Sequence, residues 1–152
     1  MEQQDAQQPV FNIEKIYVKD LSVEVPNAPQ IFLEQKDPSI NVDLSTSATP
    51  LENGFFEVVL KATVTAKLED ERTVFLVEAA QAGIFLIQNI GQEDIQPVLM
   101  VGCPNILLPY LRETVSSATN RAGFQPVMLT PVNFEALYMA RQQQLSQQAG
   151  NA

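Results

Sequence analysis

FFEVVLKATVTAKL, residues 55–68, has the clearest periodicity of two in this chain. Apolar side chains occupy every second position from Phe56 to Leu68, and the charged residues Glu57 and Lys61 fall between them. Successive side chains of a β-strand point to opposite faces of a sheet. The stretch therefore predicts a long strand with one face on a core and the other face in water.

The same period of two predicts three more strands. The first covers residues 11–25, a short second strand covers residues 40–44, and the last runs from residue 73 to about residue 85. The charged sequence LEDERT, residues 68–73, predicts a turn that joins the third strand to the fourth.

After the strands, apolar residues recur at intervals of three and four, which predicts two helices. The first covers residues 106–118, bends at Pro109 and stops at Gly123. The second begins with Thr130 as its N-cap and runs to about Gln144.

Four strands followed by two helices predict the α+β class, with a four-stranded antiparallel sheet and both helices packed on one of its faces. Residues 25–38 contain three prolines and are expected to form a long Pro-rich crossover between strands 1 and 2. The chain, residues 1–152, is interpreted as a single domain, and its ends at residues 1–9 and 145–152 are expected to be disordered tails.

The composition limits the kinds of partner that this chain is expected to bind. The net charge of −9 disfavours nucleic acid and anionic membranes and favours cationic partners, although solubility alone also explains an acidic surface. The first residues lack a signal-peptide pattern, and no apolar run approaches the roughly 20 residues that span a bilayer. Cys103 is the only cysteine. We therefore expect a soluble, cytoplasmic protein that does not insert into membranes.

Catalytic residue types are scarce. The chain has no histidine, no GxxxxGKS/T phosphate loop and too few thiolates for a zinc site, so we expect no cofactor and no metal. A carboxylate enzyme stays open as an alternative, for example an acyl-thioester hydrolase with Glu78 or Asp94 as the base. Such an enzyme would bury its central helix early in the chain, whereas here the helices come last.

Four segments, in order, resemble the SecB chaperone family. They are YVKDLSVEVPNAP at residues 17–29, AGIF at residues 82–85, GCPNILLPY at residues 102–110 and LTPVNFEALYM at residues 129–139. The resemblance extends over roughly residues 10 to 144. It implies a cytosolic homotetramer, built as a dimer of dimers, that binds unfolded preproteins without nucleotide and delivers them to the translocation ATPase SecA.

A chaperone of this kind needs apolar grooves and main-chain contacts rather than a catalytic constellation. We expect the client-binding groove between the crossover, the second strand and the last helix. Its candidate lining residues are Phe11, Ile40, Val42, Leu44, Phe134, Leu137 and Tyr138. Ordinary core packing is the alternative for all of them, and it is favoured for Phe134 and Leu137.

Strand alternation places Asp20, Glu24, Leu76 and Glu78 on the outward face of the sheet. The resemblance implies that these four positions contact SecA. A merely solvated face is the alternative, and it explains the acidic residues but not Leu76.

The first helix carries an apolar stripe that is too large for one sheet face if the second helix also packs there. The stripe is therefore expected to bury against another subunit. It consists of Ile106, Leu107, Tyr110, Leu111 and Val115. An assembly subunit without clients is a second alternative to the chaperone.

Overall fold

A four-stranded antiparallel sheet forms one layer of the protein. The computed structural model describes residues 8–150. The strands are β1 (Val10–Glu24), β2 (Ser39–Pro50), β3 (Phe55–Lys67) and β4 (Thr73–Gln88), in the order β1-β4-β3-β2. β1 and β2 are therefore the two edge strands, and β2 is longer than the 40–44 segment predicted from alternation.

The helices form the second layer, on one face of the sheet. They are α1 (Gln92–Pro97), a π-helical turn (Val98–Gly102), α2 (Cys103–Arg121) and α3 (Phe134–Gly150). The sheet residues beneath them, such as Val64 and Val77, are fully buried. The predicted α+β class, with its antiparallel sheet and helices on one face, is confirmed.

The helix expected over residues 106–118 begins much earlier, at Gln92. Pro97, Val98, Gly102 and Cys103 all have right-handed helical dihedral angles, so α1, the π turn and α2 form one continuous helical rod. The wide π turn shifts the repeat of the apolar residues away from 3.6. The spacing of apolar residues therefore gave no helical signal before residue 106.

α2 lies close to the centre of the sheet because Gly83 leaves room for it. A Cβ atom at Gly83 would lie 2.7 Å from the Phe85 ring and 3.2 Å from a methyl group of Leu107. The glycine of the AGIF segment thus permits the close approach of helix and sheet.

A buried polar contact fixes the position of α2. Gln81 is only 4% exposed, on the sheet face that α2 covers. Its amide nitrogen donates to the Tyr17 carbonyl oxygen at 3.2 Å, and its amide oxygen accepts a hydrogen bond from the Thr114 hydroxyl at 2.9 Å. Because all these groups are satisfied, the contact links β1, β4 and α2 without a desolvation penalty from unpaired atoms.

The connection between β1 and β2, residues 25–38, joins the two edges of the sheet and contains a 3₁₀ turn at Gln30–Leu33. Ile31 within it is 5% exposed and belongs to the core, whereas Leu33 is 84% exposed. Phe32 stacks on Phe124, with ring centroids 5.1 Å apart. Apart from this one turn, residues 25–38 form no helix or strand.

α3 begins at Phe134 rather than near Thr130. The Asn133 side-chain oxygen accepts a hydrogen bond from the Ala136 amide at 2.9 Å, so Asn133 caps the helix. The helix continues through Gly150, which corrects the expected disordered tail for residues 145–150. The expected tails at residues 1–7 and 151–152 lie outside the described residues.

Candidate functional site

An apolar groove lies between β2 and α3, and we call it the β2–α3 groove. It consists of two adjoining cavities of about 410 and about 490 Å³ that share Thr46, Met100, Tyr138 and Arg141. The first is completed by Leu44, Ser45, Phe134 and Leu137. The second is completed by Ser47, Ala48, Pro50, Phe56, Ile95, Gln96, Leu99, Gln142 and Leu145.

Local sequence explains the helical wall of this groove. On α3, Phe134, Tyr138, Arg141 and Leu145 follow one another at spacings of four, three and four, which places them on one helix face. Phe134 is 4% exposed and anchors the helix to the core. The π turn supplies Met100, whose flexible thioether side chain adapts to different partners.

A third cavity, of about 500 Å³, lies under the connection between β1 and β2, and we call it the connection pocket. Its aromatic floor contains Phe32, Phe75 and Phe124, with the Phe75 and Phe124 rings 4.9 Å apart. Glu34, Lys36 and Asp37 also line it, so this cavity has a charged rim over an apolar floor.

An ion pair ties the connection to the β3–β4 turn. The Arg72 guanidinium lies 2.9 Å from Glu34 and 2.9 Å from Asp70. Hydrogen bonds to Glu34 and Asp70 raise the pKa of Arg72. The backbone amide of Arg72 and its guanidinium lower the pKa of Asp70. Arg72 and Asp70 are therefore both charged at neutral pH.

Six of the seven predicted groove residues lie on β2 or α3, in three places. Leu44, Phe134, Leu137 and Tyr138 come together in the β2–α3 groove. Ile40 lines the connection pocket, and Val42, which is 38% exposed, lies between the two cavities on β2. The structure gives the position of each residue, whereas contact with a client stays a prediction for all of them.

Phe11 is not brought together with the others. It lies on β1, at the opposite edge of the sheet from β2, where its ring centroid is 5.7 Å from that of Phe85. The alternation that marked Phe11 as apolar and inward-facing carries no information on strand order. We therefore correct its assignment to the groove.

Sequence reasoning missed several lining residues. Arg141 and Leu145 continue the helical stripe from Phe134 and Tyr138, so the spacing could have identified them. Met100 and Phe124 had no such signal, because the π turn and the turn after α2 lie outside any periodic segment.

The four predicted outward residues do share one sheet face. In the strand register Asp20 pairs with Ala80, Glu24 with Leu76 and Ser22 with Glu78. Directly opposed residues lie on the same face. Leu76 and Glu78 alternate with the buried residues Phe75, Val77 and Ala79, so this face is opposite to the helices.

The apolar stripe of α2 divides between two environments. Leu107, Leu111 and Val115 are completely buried within this single chain, so they have no surface left for another subunit. The expectation that the whole stripe contacts a partner was wrong for these three residues, because α2 packs directly on β3 and β4. Tyr110 is 49% exposed and Ile106 is half-buried, so both keep free surface.

The carboxylates of the enzyme alternative do not share a site. Glu78 is on the outward sheet face, whereas Asp94 is on α1, which packs on the other face. Among residues 8–150, no cluster of three or more His, Cys, Asp or Glu side chains is arranged to hold a metal ion. No helix between residues 8 and 150 has the length and apolar character needed to cross a membrane.

A family model and two relatives match most of this chain, and all three are described as SecB. Residues 4–145 match the family model described as preprotein translocase subunit SecB. A protein-export protein SecB from Chromobacterium violaceum is 62% identical over 152 residues and covers 100% of both chains. A protein-export protein SecB from Aromatoleum aromaticum is 63% identical over 141 residues, covering 93% of this chain and 89% of the relative.

The fold is similar to that of a solved structure. A SecB-like chaperone from Mycobacterium tuberculosis, in complex with a ChAD peptide from an antitoxin, superposes with a TM-score of 0.66. The identity is 16%, and the match covers 80% of this chain and 90% of the other. Together with the family model and the close relatives, the groove and the helix-on-sheet fold lead to one conclusion: the chain belongs to the SecB family of protein-export chaperones.

Proposed function

We propose that this chain is a holdase that binds unfolded preproteins in the cytosol, keeps them competent for translocation and delivers them to the SecA ATPase. The observation that carries the proposal is the β2–α3 groove, which runs beside the edge strand β2. Membership of a chaperone family sets aside the acyl-thioester hydrolase alternative.

The chemistry of the groove suits an extended, unfolded chain. An edge strand offers unpaired backbone amides and carbonyls, so a client segment can add main-chain hydrogen bonds that do not depend on its sequence. Each large apolar client side chain that enters a cavity contributes about 1.5–3 kcal/mol. A single client that reaches both the β2–α3 groove and the connection pocket gains further affinity through effective concentration.

Capture of a reduced, unfolded polypeptide tests this proposal. Changing Val42 and Tyr138 together to Asp is expected to weaken capture, because a charge would have to be desolvated in the groove. A control with Asn41→Asp and Thr49→Asp adds two negative charges on the other side of β2. Unchanged capture by the Val42 and Tyr138 variant, with its assembly state intact, would place client binding elsewhere.

The outward sheet face is the proposed contact for SecA, through Asp20, Glu24, Leu76 and Glu78. The acidic residues would set the encounter rate with a basic surface, and the half-buried Leu76 would supply an apolar anchor. Glu78→Lys is expected to lower SecA affinity and its salt dependence while client capture persists. Equal SecA affinities for wild type and variant would remove this face from the mechanism.

We also propose that the chain assembles as a homotetramer. Support comes from the surface that the single chain leaves exposed: Tyr110 and Ile106 on α2, and Val18, Leu21 and Val23 on β1, which are 40–47% exposed. A tetramer carries four times the charge of −9, so apolar contact area must outweigh that repulsion. Sedimentation should show a tetramer, and a stable monomer at micromolar concentration would contradict it.

A further inference from the structure

Residues 124–133, which we call the linker, connect α2 to α3 without forming a helix or a strand. Val127 and Leu129 within it are 9% and 5% exposed, whereas Met128 between them is 62% exposed. Side chains that alternate in this way are typical of an extended segment with one side on a core. The linker is therefore a fixed part of the structure and not a loose connection.

α3 itself is buried very little. Phe134 is the only buried residue within Phe134–Gly150, and Tyr138 is half-buried. A cavity of about 420 Å³ separates the start of α3 from the helical rod, with Val101 and Asn105 on the rod side. An element with so few buried contacts is held weakly by its own packing. The position of α3 beside β2 therefore depends on the linker.

The hydroxyl of Thr119 on α2 holds one end of the linker. Thr119 is 0% exposed, and its hydroxyl oxygen accepts a hydrogen bond from the Val127 amide at 2.9 Å. The same hydroxyl lies 3.0 Å from the carbonyl oxygens of Val115 and Ser116, to which it donates. Displacing the linker would leave buried polar groups without partners, which is costly.

The guanidinium group of Arg112 holds the linker two residues further on. Its Nε atom donates a hydrogen bond to the Leu129 carbonyl oxygen at 2.7 Å. Arg112 precedes Thr119 by nearly two helical turns, so both side chains leave α2 on the same side. The linker passes Thr119 first and Arg112 second, and it therefore runs antiparallel along α2, back towards the π turn where α3 begins.

We infer that Thr119 and Arg112 are positioning residues, which pin the linker along α2 and so hold α3 at the distance from β2 that sets the width of the β2–α3 groove. Neither residue lines that groove, so both act through α3. When a pin is lost, α3 samples other positions and only a fraction of the molecules has the groove ready for a client. The apparent affinity falls by that fraction. The effect on clients rests on the proposed function, because it assumes that they occupy the groove.

Four variants separate the two pins from general effects of substitution. Thr119→Val removes the hydroxyl at nearly constant volume, and Thr119→Ser retains it. Arg112→Gln removes the Nε donor and one positive charge, and Arg121→Gln removes the same charge from an exposed position at the end of α2. Arg112 is half-buried, so its variant keeps the test decisive if Thr119→Val does not fold.

The first measurement is the distance between β2 and α3. Spin labels are attached through Thr49→Cys and Gln143→Cys, two exposed positions outside the lining of the groove. Cys103 is 0% exposed and stays unlabelled in the folded protein. Labelled chains are diluted with unlabelled chains, so that distances within one chain dominate. The second measurement is capture of a reduced, unfolded polypeptide, with both made well below the melting temperature.

Thr119→Val and Arg112→Gln should each broaden the distance distribution and weaken capture roughly 2- to 10-fold, which is the contribution of one hydrogen bond. Thr119→Ser and Arg121→Gln should match wild type in both measurements. Unchanged distance distributions in Thr119→Val and Arg112→Gln, even with lower melting temperatures, would overturn the inference and leave holdase function in place. Broadened distributions with unchanged capture would uphold the positioning of α3 and overturn the groove as the client site.

Discussion

The hydroxyl of Tyr17 on β1 donates a hydrogen bond to the carboxylate of Glu57 on β3, across the intervening strand β4. The other carboxylate oxygen accepts from the Lys19 ammonium group at 2.6 Å. Ala82, which pairs with Tyr17 in the register, is completely buried beneath this bridge. The bridge thus links three strands on the outward sheet face, at the end remote from Glu24 and Leu76.

Removing this hydroxyl should destabilise the protein. Tyr17→Phe is expected to lower the free energy of unfolding by about 1 kcal/mol at neutral pH, because the carboxylate loses one of two donors. Thermal unfolding in the absence of client measures the loss, and Tyr138→Phe, at a hydroxyl that makes no hydrogen bond among the described residues, is the matched control. Equal melting temperatures for wild type and Tyr17→Phe would show that the bridge contributes nothing.

The same variant has a defined pH dependence. Burial, followed by the hydrogen bond to Glu57, raises the pKa of Tyr17 from 10.0 to about 12. A raised folded-state pKa adds stability that is complete below the unfolded value and is lost as the pH rises through the folded value. The advantage of wild type over Tyr17→Phe should therefore shrink from about pH 10 upward. A constant difference across that range would contradict the shift.

Replacing two glycines with alanine should change the free energy of unfolding in opposite directions. Gly83→Ala forces the Phe85 ring or α2 to move, since the added Cβ would lie 2.7 Å from that ring, and should cost about 1–3 kcal/mol. Gly102→Ala meets nothing within 4 Å on the helical rod and should stabilise the protein by about 0.5–1 kcal/mol. Denaturant unfolding of both variants is the measurement, and destabilisation of equal size would refute the packing argument.

The Cys103 thiol should be unreactive in the folded protein. It is 0% exposed, and burial raises the pKa of its thiol to about 12. Only the thiolate reacts readily with a disulfide reagent, so modification should require unfolding. Its rate should rise with denaturant in step with the unfolding transition. Rapid, complete modification of the native protein would contradict this burial.

The Glu34–Arg72 ion pair should restrain the connection over its pocket. Glu34→Gln is expected to raise the hydrogen-exchange rates of residues 30–34 by up to about fivefold, the limit for a pair of this exposure. The Glu34 and Arg72 side chains are 32% and 41% exposed. Glu69→Gln removes a nearby exposed charge that forms no ion pair among the described residues. If both variants exchange alike, the ion pair does not hold the connection.

Alternation along β3 and β4 was sufficient to predict the sheet and the outward direction of Leu76 and Glu78. In a strand the direction of a side chain follows from its position alone, so residues close in sequence carry all the information. The stripe Phe134, Leu137 and Tyr138 was predictable for the same reason, since helical spacing is also local. Local periodicity therefore predicted which way Leu44 and Tyr138 point, whereas their assignment to one groove drew on the resemblance to the SecB family.

Only the tertiary structure decided which apolar faces meet. Phe11 and Leu44 have the same pattern in sequence, yet the strand order β1-β4-β3-β2 puts them at opposite edges of the sheet. Its spacing predicted that Leu107 contacts another subunit. In the structure Leu107 is buried, because α2 packs on the sheet of its own chain over Gly83. Local periodicity determined which way each side chain points, whereas long-range packing, which depends on contacts between distant segments, decided what each side chain touches.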